Sequence, residues 1–168
     1  MAVNAKTWAE RISENKNKLI GIPYSTLDCQ AFVEYCMRNY AGVNTNWRGS
    51  NDMWRNAVHD HSDDFDNIDV GEWVFTIKHD GKEPTRYTDG VNAAHVGIYI
   101  GDNTVMHSTT GGVQTDVISN SKRWTHHAKA NDLDYSESNI PVDNDWFADF
   151  CDELTELIKK YGGNIDET

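Results

Sequence analysis

Basic residues are scarce in this chain: 15 lysines and arginines stand against 27 aspartates and glutamates, a formal net charge of −12. That balance argues against a nucleic-acid or anionic-membrane partner, because either requires a basic surface. Proline is also rare, three in 168 residues, and no low-complexity run occurs, which argues against an extended disordered region. No stretch reaches about 18 consecutive apolar residues, so no membrane span is expected. The first residues, MAVNAKTWAERISENKNKL, lack a basic start followed by an apolar stretch and do not read as a secretory signal. Work outside a cell would then need another export route, or a signal upstream. Cysteine is limited to three. Cys29 and Cys36 lie on one predicted helix with a rise of about 10 Å between them, beyond the about 7 Å that a disulfide tolerates. Cys151 is remote and has only one of them to pair with, so all three read as thiols.

What is present describes a globular chain. A hydrophobic share of 38% and an aromatic share of 11% suffice for one domain with a real core. Residues 4 to 19 read as a first helix, with Trp8, Ile12 and Leu19 on its apolar side; Gly21 and Pro23 end it. A second helix is expected over 29 to 41. Residues 42 to 52 read as loop, Met53, Trp54 and Val58 as a short helix, and the acidic run 59 to 67 as a solvated loop. His59 and His61 beside Asp63, Asp64 and Asp66 imitate a metal site, but at no spacing with a mechanism.

From Gly71 the hydrophobic period changes to two. GEWVFTIK, AHVGIYIG, TVMHSTT, VQTDVIS and WTHHAKA predict an antiparallel sheet of about five strands. Between the first two lies a long polar loop, residues 78 to 92, of a length more often functional than idle; it is placed to border a cleft. After Pro141 an amphipathic helix is expected, with acidic residues first and lysines last. The organisation is therefore α+β: residues 1–140 as one domain and 141–168 as a terminal helix packed on it, or leading to a further domain.

Two stretches carry chemistry. In YSTLDCQAFVEYCMRNYAG, residues 24 to 42, Asp28 stands where an N-cap belongs and Gly42 where a helix stops. Cys29 then occupies the first helical turn. As a structural residue it is a small apolar group at a helix start. As a reactive one it gains from the helix dipole, and at such sites, with a histidine as partner, cysteine pKa values fall from about 8.5 to about 3.5–7.5.

The other stretch is AHVGIYIGDNTVMHSTT. If Val96, Ile98 and Met106 share the core face, His95 and His107 share the opposite one. A GDN turn pairs Ile98 with Met106 and sets His107 opposite Gly97, so His95 is a diagonal neighbour of His107 at about 7–8 Å between backbones. Gly97 removes a side chain where the rings would meet. Such a pair supplies the base and the orienting group of a nucleophile–base–orienter arrangement. A metal site with Cys29 as third ligand is the competitor. His126 and His127 point opposite ways, so only one of them is able to join any site.

DCQAFVEYC resembles the nucleophile segment of the NlpC family of papain-like cysteine peptidases, whose usual pattern is Asp-Cys-Ser-Gly-Phe-Val. GEWVF resembles that family's Gly-Asp-hydrophobic-Val-Phe strand, and HVGIYIGDNTVMHS its base strand. GIPY resembles the Gly-x-Pro-Tyr ahead of the cysteine. The resemblance spans about residues 15 to 130. It implies a papain-like fold with the nucleophile at a helix start packed on an antiparallel sheet. It also implies Cys29 as nucleophile, His95 as general base and His107 as its orienter, with Tyr24, Asp28 and Gln30 bordering the substrate or oxyanion. The expected activity is cysteine endopeptidase action on peptidoglycan stem peptides at the bacterial cell wall, at the bond between D-glutamyl and a diamino acid. No metal or cofactor is required, and a separate wall-targeting domain or delivery partner is compatible.

The chain departs from the family pattern at Gln30 and Ala31, in the shortened approach from Tyr24 to Cys29, and in the long 78–92 loop. These departures touch the cleft walls and so bear on specificity more than on chemistry; the chain as a whole resembles a phage or gut-bacterial variant. The readings in competition are a wall amidase or acyltransferase with the same triad, a non-catalytic wall-binding or phage structural module, and a metal-dependent hydrolase.

Overall fold

Asn4 starts the first helix: its side chain accepts a 3.1 Å hydrogen bond from the Thr7 amide, satisfying a donor the helix leaves free. In the computed structural model, which describes residues 2–136, helix α1 spans Ala5–Glu14 and buries Trp8, Ala9 and Ile12 completely. The expected single helix breaks at Asn15, whose amide donates to the carbonyls of Arg11 and Ile12, and resumes as a short α2, Lys16–Leu19. Helix α3, Cys29–Cys36, buries Cys29, Phe32, Val33 and Cys36 and widens into a π turn over Met37–Ala41. Gly42 closes it in the left-handed conformation at φ 72°, the stop its position predicts. The Trp8 indole donates to the Cys36 carbonyl at 3.0 Å and ties α1 to α3.

A short α4, Ser50–Asp52, runs into a second π turn over Met53–Ala57. The acidic run that follows departs from expectation. Val58–Ser62 forms a strand, β2, paired antiparallel with the late strand through Val58↔Ala130, His59↔Lys129 and Ser62↔His127. Backbone pairing makes it a strand; its exposed His59, Asp60 and His61 bury nothing, as suits a short, charged sheet edge. A 3₁₀ turn over Phe65–Asn67 follows.

The remaining strands are those of the period-two region: β3 Trp73–Lys78, β4 Asn92–Gly101, β5 Thr104–Thr109, β6 Gly112–Val117 and β7 His126–Ala130. With β2 they make a six-stranded antiparallel sheet in the order β2-β7-β3-β4-β5-β6, one strand more than expected. A two-residue parallel pair joins β1, Val3–Asn4, to β8, Leu133–Asp134. The main core lies where the helices meet Trp73, Phe75, Val96, Ile98 and Met106. A smaller cluster of Val74, Val105 and Trp124 sits apart from it. Alternation in β4 and β5 feeds the two separately.

The long connection between β3 and β4 is docked. Arg55 binds Asp89 at 2.6 and 2.8 Å and the Val91 carbonyl at 2.6 Å, and the guanidinium groups of Arg55 and Arg86 lie 4.0 and 4.7 Å from the Tyr87 ring centre. It packs on residues 48 to 55 through these contacts. The expected helix after Pro141 and the 1–140 boundary lie outside the described residues.

Candidate active site

The approach to Cys29 is held by the sheet. The Gly21 amide donates to Val113 O at 2.8 Å and the Val113 amide to Ile22 O at 2.9 Å, so this loop borrows the free edge of β6. Gly112 allows it: a Cβ there would stand 2.7 Å from the Ile22 carbonyl oxygen, at φ 91°. Further along, the Ser108 hydroxyl donates to the Leu27 carbonyl, two residues before the cysteine. Asp28 then caps α3, its carboxylate accepting from the Ala31 amide at 2.8 Å. Cys29 opens the helix with 9% of its surface exposed, a reduced thiol, as is Cys36.

Burial, then the nearby Asp28 charge, pushes the Cys29 thiol up; the amides of Val96 and Gln30 and the Tyr24 hydroxyl oppose the rise. The reactive reading of the sequence expects a lowered thiol, the structural reading a buried one. Here the sulfur is taken out of water with a carboxylate beside it, and both favour the neutral form. The same contacts locate two neighbours. Tyr24 lies against both the thiol and the amide of Cys29, and burial first, then the charges of Cys29 and Asp28, raises its own pKa, so its hydroxyl remains a donor. The sulfur lies against the amide of Val96, the residue directly after His95.

Strands β4 and β5 pair in the predicted register, Ile98 with Met106 and Gly97 with His107. The turn is tighter than GDN: Gly101 pairs with Thr104, Asp102 and Asn103 are left-handed at φ 49° and 56°, and an irregularity after Tyr99 absorbs the extra residue. The register brings His95 Nε2 to 2.8 Å from His107 Nδ1. His107 is fully buried and His95 partly so. Burial, then the positive field of His107, presses the His95 pKa down to about 3; burial, then Arg123, takes His107 to about 4. Both imidazoles are neutral at physiological pH. With Nε2 of His95 engaged by His107, Nδ1 is the nitrogen left to take a proton. The hydrogen-bonded N···N contact also argues against the rings as two ligands of one metal, since ligating nitrogens turn toward the ion at about 2.0–2.1 Å.

A third ring completes the pair. Trp124 stacks on His95 at 5.6 Å and 27° and meets His107 edge-on at 5.1 Å. Gly97 makes room for it, because a Cβ there would lie 2.8 Å from Val105, 3.0 Å from Trp124 and 3.1 Å from His107. Sequence reasoning placed Trp124 at the start of a late strand and missed this role; the glycine between two histidines was the only signal of a tight contact. Behind the rings Arg123 pairs with Asp116 at 3.3 Å.

Other predicted residues go elsewhere. The Gln30 side chain donates to the Trp47 carbonyl and, at 3.3 Å, to Glu34, leaving only its amide toward the thiol. His127 is buried against Glu72, its other nitrogen 3.0 Å from the Asp64 carbonyl, and burial notwithstanding, that pairing raises its pKa. His126 packs on Trp54. His59 contacts Asn131 and His61 the Trp54 carbonyl, both at 2.8 Å. Neither late histidine joins the His95–His107 pair.

Comparison with known proteins accords with this arrangement. Residues 16–131 match the sequence pattern of the NlpC/P60 family. The fold is similar to the crystal structure of the P60 domain from the M. avium subspecies paratuberculosis antigen MAP1204. The TM-score is 0.54 at 18% identity, over 78% of this chain and 98% of that one. No curated protein matches the chain. On the extent of the family match, the chain belongs to the NlpC/P60 family, whose members are generally cysteine peptidases acting on peptidoglycan.

Proposed function

We propose that the protein is a cysteine endopeptidase that hydrolyses an amide bond in peptidoglycan stem peptides, between D-glutamyl and a diamino acid, through Cys29, His95 and His107. The observation that supports the reading is the 2.8 Å bond between His95 Nε2 and His107 Nδ1, with the backbone amide of Val96, next to His95 in the chain, against the Cys29 sulfur.

The chemistry follows from the resting charges. A thiol pushed up and an imidazole pushed down are both neutral at the start, so His95 Nδ1 takes the thiol proton as sulfur attacks the carbonyl. The C–S bond forms and the carbonyl π pair moves onto oxygen. The Cys29 amide and the Tyr24 hydroxyl, which lie together, receive that oxyanion; a single donor of this kind is worth about 10²–10³ in rate. The imidazolium then gives its proton to the leaving nitrogen as the C–N bond breaks. His107 holds the ring in the required tautomer throughout. In the second half His95 Nδ1 takes a proton from water as its oxygen attacks the thioester carbonyl; the C–S bond then breaks, the new carboxylic acid leaves, and the imidazolium returns its proton to sulfur.

Digestion of several purified peptidoglycans, with the fragments identified by mass spectrometry, tests the reading. New amino termini on the diamino acid, lost in Cys29→Ala, are expected. Equal digestion by Cys29→Ala refutes it, and cleavage at the sugar–peptide amide would favour the amidase reading.

A further inference from the structure

In a chain of net charge −12, one cleft is lined by cations alone among its charged groups. It measures about 470 Å³ and opens beside His95, with Lys78, Lys122 and Arg123 around it and Thr76 and Asn120 as polar wall. That volume falls within the usual range for small-molecule sites.

The wall is built. The Thr76 hydroxyl donates to the Arg123 carbonyl at 2.6 Å, and the Ile77 amide to the Thr125 hydroxyl at 2.8 Å, fastening the loop before β7 onto β3. Asp116, outside the lining, holds Arg123 at 3.3 Å and Asn120 at 3.1 Å. Its one charge offsets the guanidinium. Lys78 and Lys122 pair with no carboxylate among the described residues, so the cleft carries an uncompensated positive charge. An extended polyanion would meet the acidic remainder of the surface, whereas a single short anionic group does not.

We propose that this cleft receives a carboxylate of the peptide being cut, so that Lys78, Lys122 and Arg123 select substrates carrying a free carboxylate next to the scissile bond. The assignment rests on the peptidase reading. It supplies what the acidic surface lacks: a local attraction that places an anionic peptide against His95. Ammonium groups act here as point charges that tolerate some variation in carboxylate position, while the held guanidinium sets direction.

Two measurements on wild type and on the double variant Lys78→Gln, Lys122→Gln test it. Both lysines are exposed, and a thermal melt verifies that the variant folds. The first is the rate of Cys29 alkylation by iodoacetate relative to iodoacetamide at low ionic strength, which needs no turnover. The second is kcat/KM for a stem peptide with its carboxylate free relative to the same peptide amidated. Each ratio is expected to fall about tenfold in the variant, the order for removing two partly screened charges. An unchanged peptide ratio overturns the proposal whatever the alkylation shows. If wild type cuts neither peptide, the peptidase reading fails instead; the alkylation ratio then decides alone whether the cleft attracts anions, and an unchanged ratio overturns that as well.

Discussion

The rate at which iodoacetamide modifies Cys29 should rise about tenfold per pH unit from pH 5 to 8, with no plateau below pH 7. Only the thiolate reacts. A thiol at its ordinary pKa of about 8.5 is about 3% ionised at pH 7, and burial with Asp28 alongside puts Cys29 below that fraction. His95, held down to about 3, is no cationic partner for a thiolate in this range. A preformed thiolate–imidazolium pair behaves differently: its alkylation rate levels off above a thiol pKa of about 3.5–7.5. The assay is pseudo-first-order labelling followed by peptide mapping, which separates Cys29 from the fully buried Cys36. Asp28→Asn sharpens it. Asparagine caps a helix as well as aspartate does, so the 2.8 Å bond from the Ala31 amide survives while the charge is lost. Labelling at pH 7 should then increase several-fold. A plateau between pH 5 and 7 in wild type, or no response to Asp28→Asn, would refute the neutral-pair mechanism.

Other consequences are open to direct measurement. Gly97→Ala puts a methyl within 2.8–3.1 Å of Val105, Trp124 and His107 and should cost about 1–3 kcal/mol in urea unfolding, with activity falling too. Between pH 7 and 5 the neutral His95 and His107 should each withdraw up to about 2 kcal/mol of stability. An unfolded histidine takes a proton near pH 6.5 and these do not until about 3 and 4, so the unfolded state binds more protons as pH falls. His127 runs the other way: its raised pKa adds stability that is present below about pH 6.5 and lost as pH rises through the folded value. Urea midpoints of wild type, His107→Phe and His127→Gln across pH 5–8 separate the two signs. Arg55→Ala removes the contacts to Asp89, Val91 and Tyr87 and should make the connection between β3 and β4 the first site of limited proteolysis.

Much of the site was legible because it depends on short-range rules. Alternation around a glycine-containing turn sets the β4–β5 register, and that register alone makes His95 and His107 neighbours. The Asp28 cap and the Gly42 stop are equally local. What escaped depends on contacts distant in sequence. Strand β2 is made by its backbone partner, and its charged side chains carry no period-two pattern. Trp124 reaches the histidines because a loop bonded to Thr76 delivers it there, a constraint with no local signature. The upward push on the thiol has no sequence signature either: the helix start and the histidine are visible in sequence, whereas the extent of desolvation is not.

Adjacent residues of one strand serve both halves of the site. His107 holds the His95 ring, and Ser108, pointing the other way, holds the loop that ends in Cys29. His95 and Cys29, the proposed base and nucleophile, are thus referenced to the same strand, about 3.4 Å of backbone apart at their anchors. If the helices and sheet breathe against each other, both anchors travel together and the error in their spacing stays small. Precision at this site then depends on the stiffness of one short strand rather than on that of the whole domain. Drift in the outer elements, or in a loop as long as the one between β3 and β4, then leaves the spacing of these two anchors unchanged.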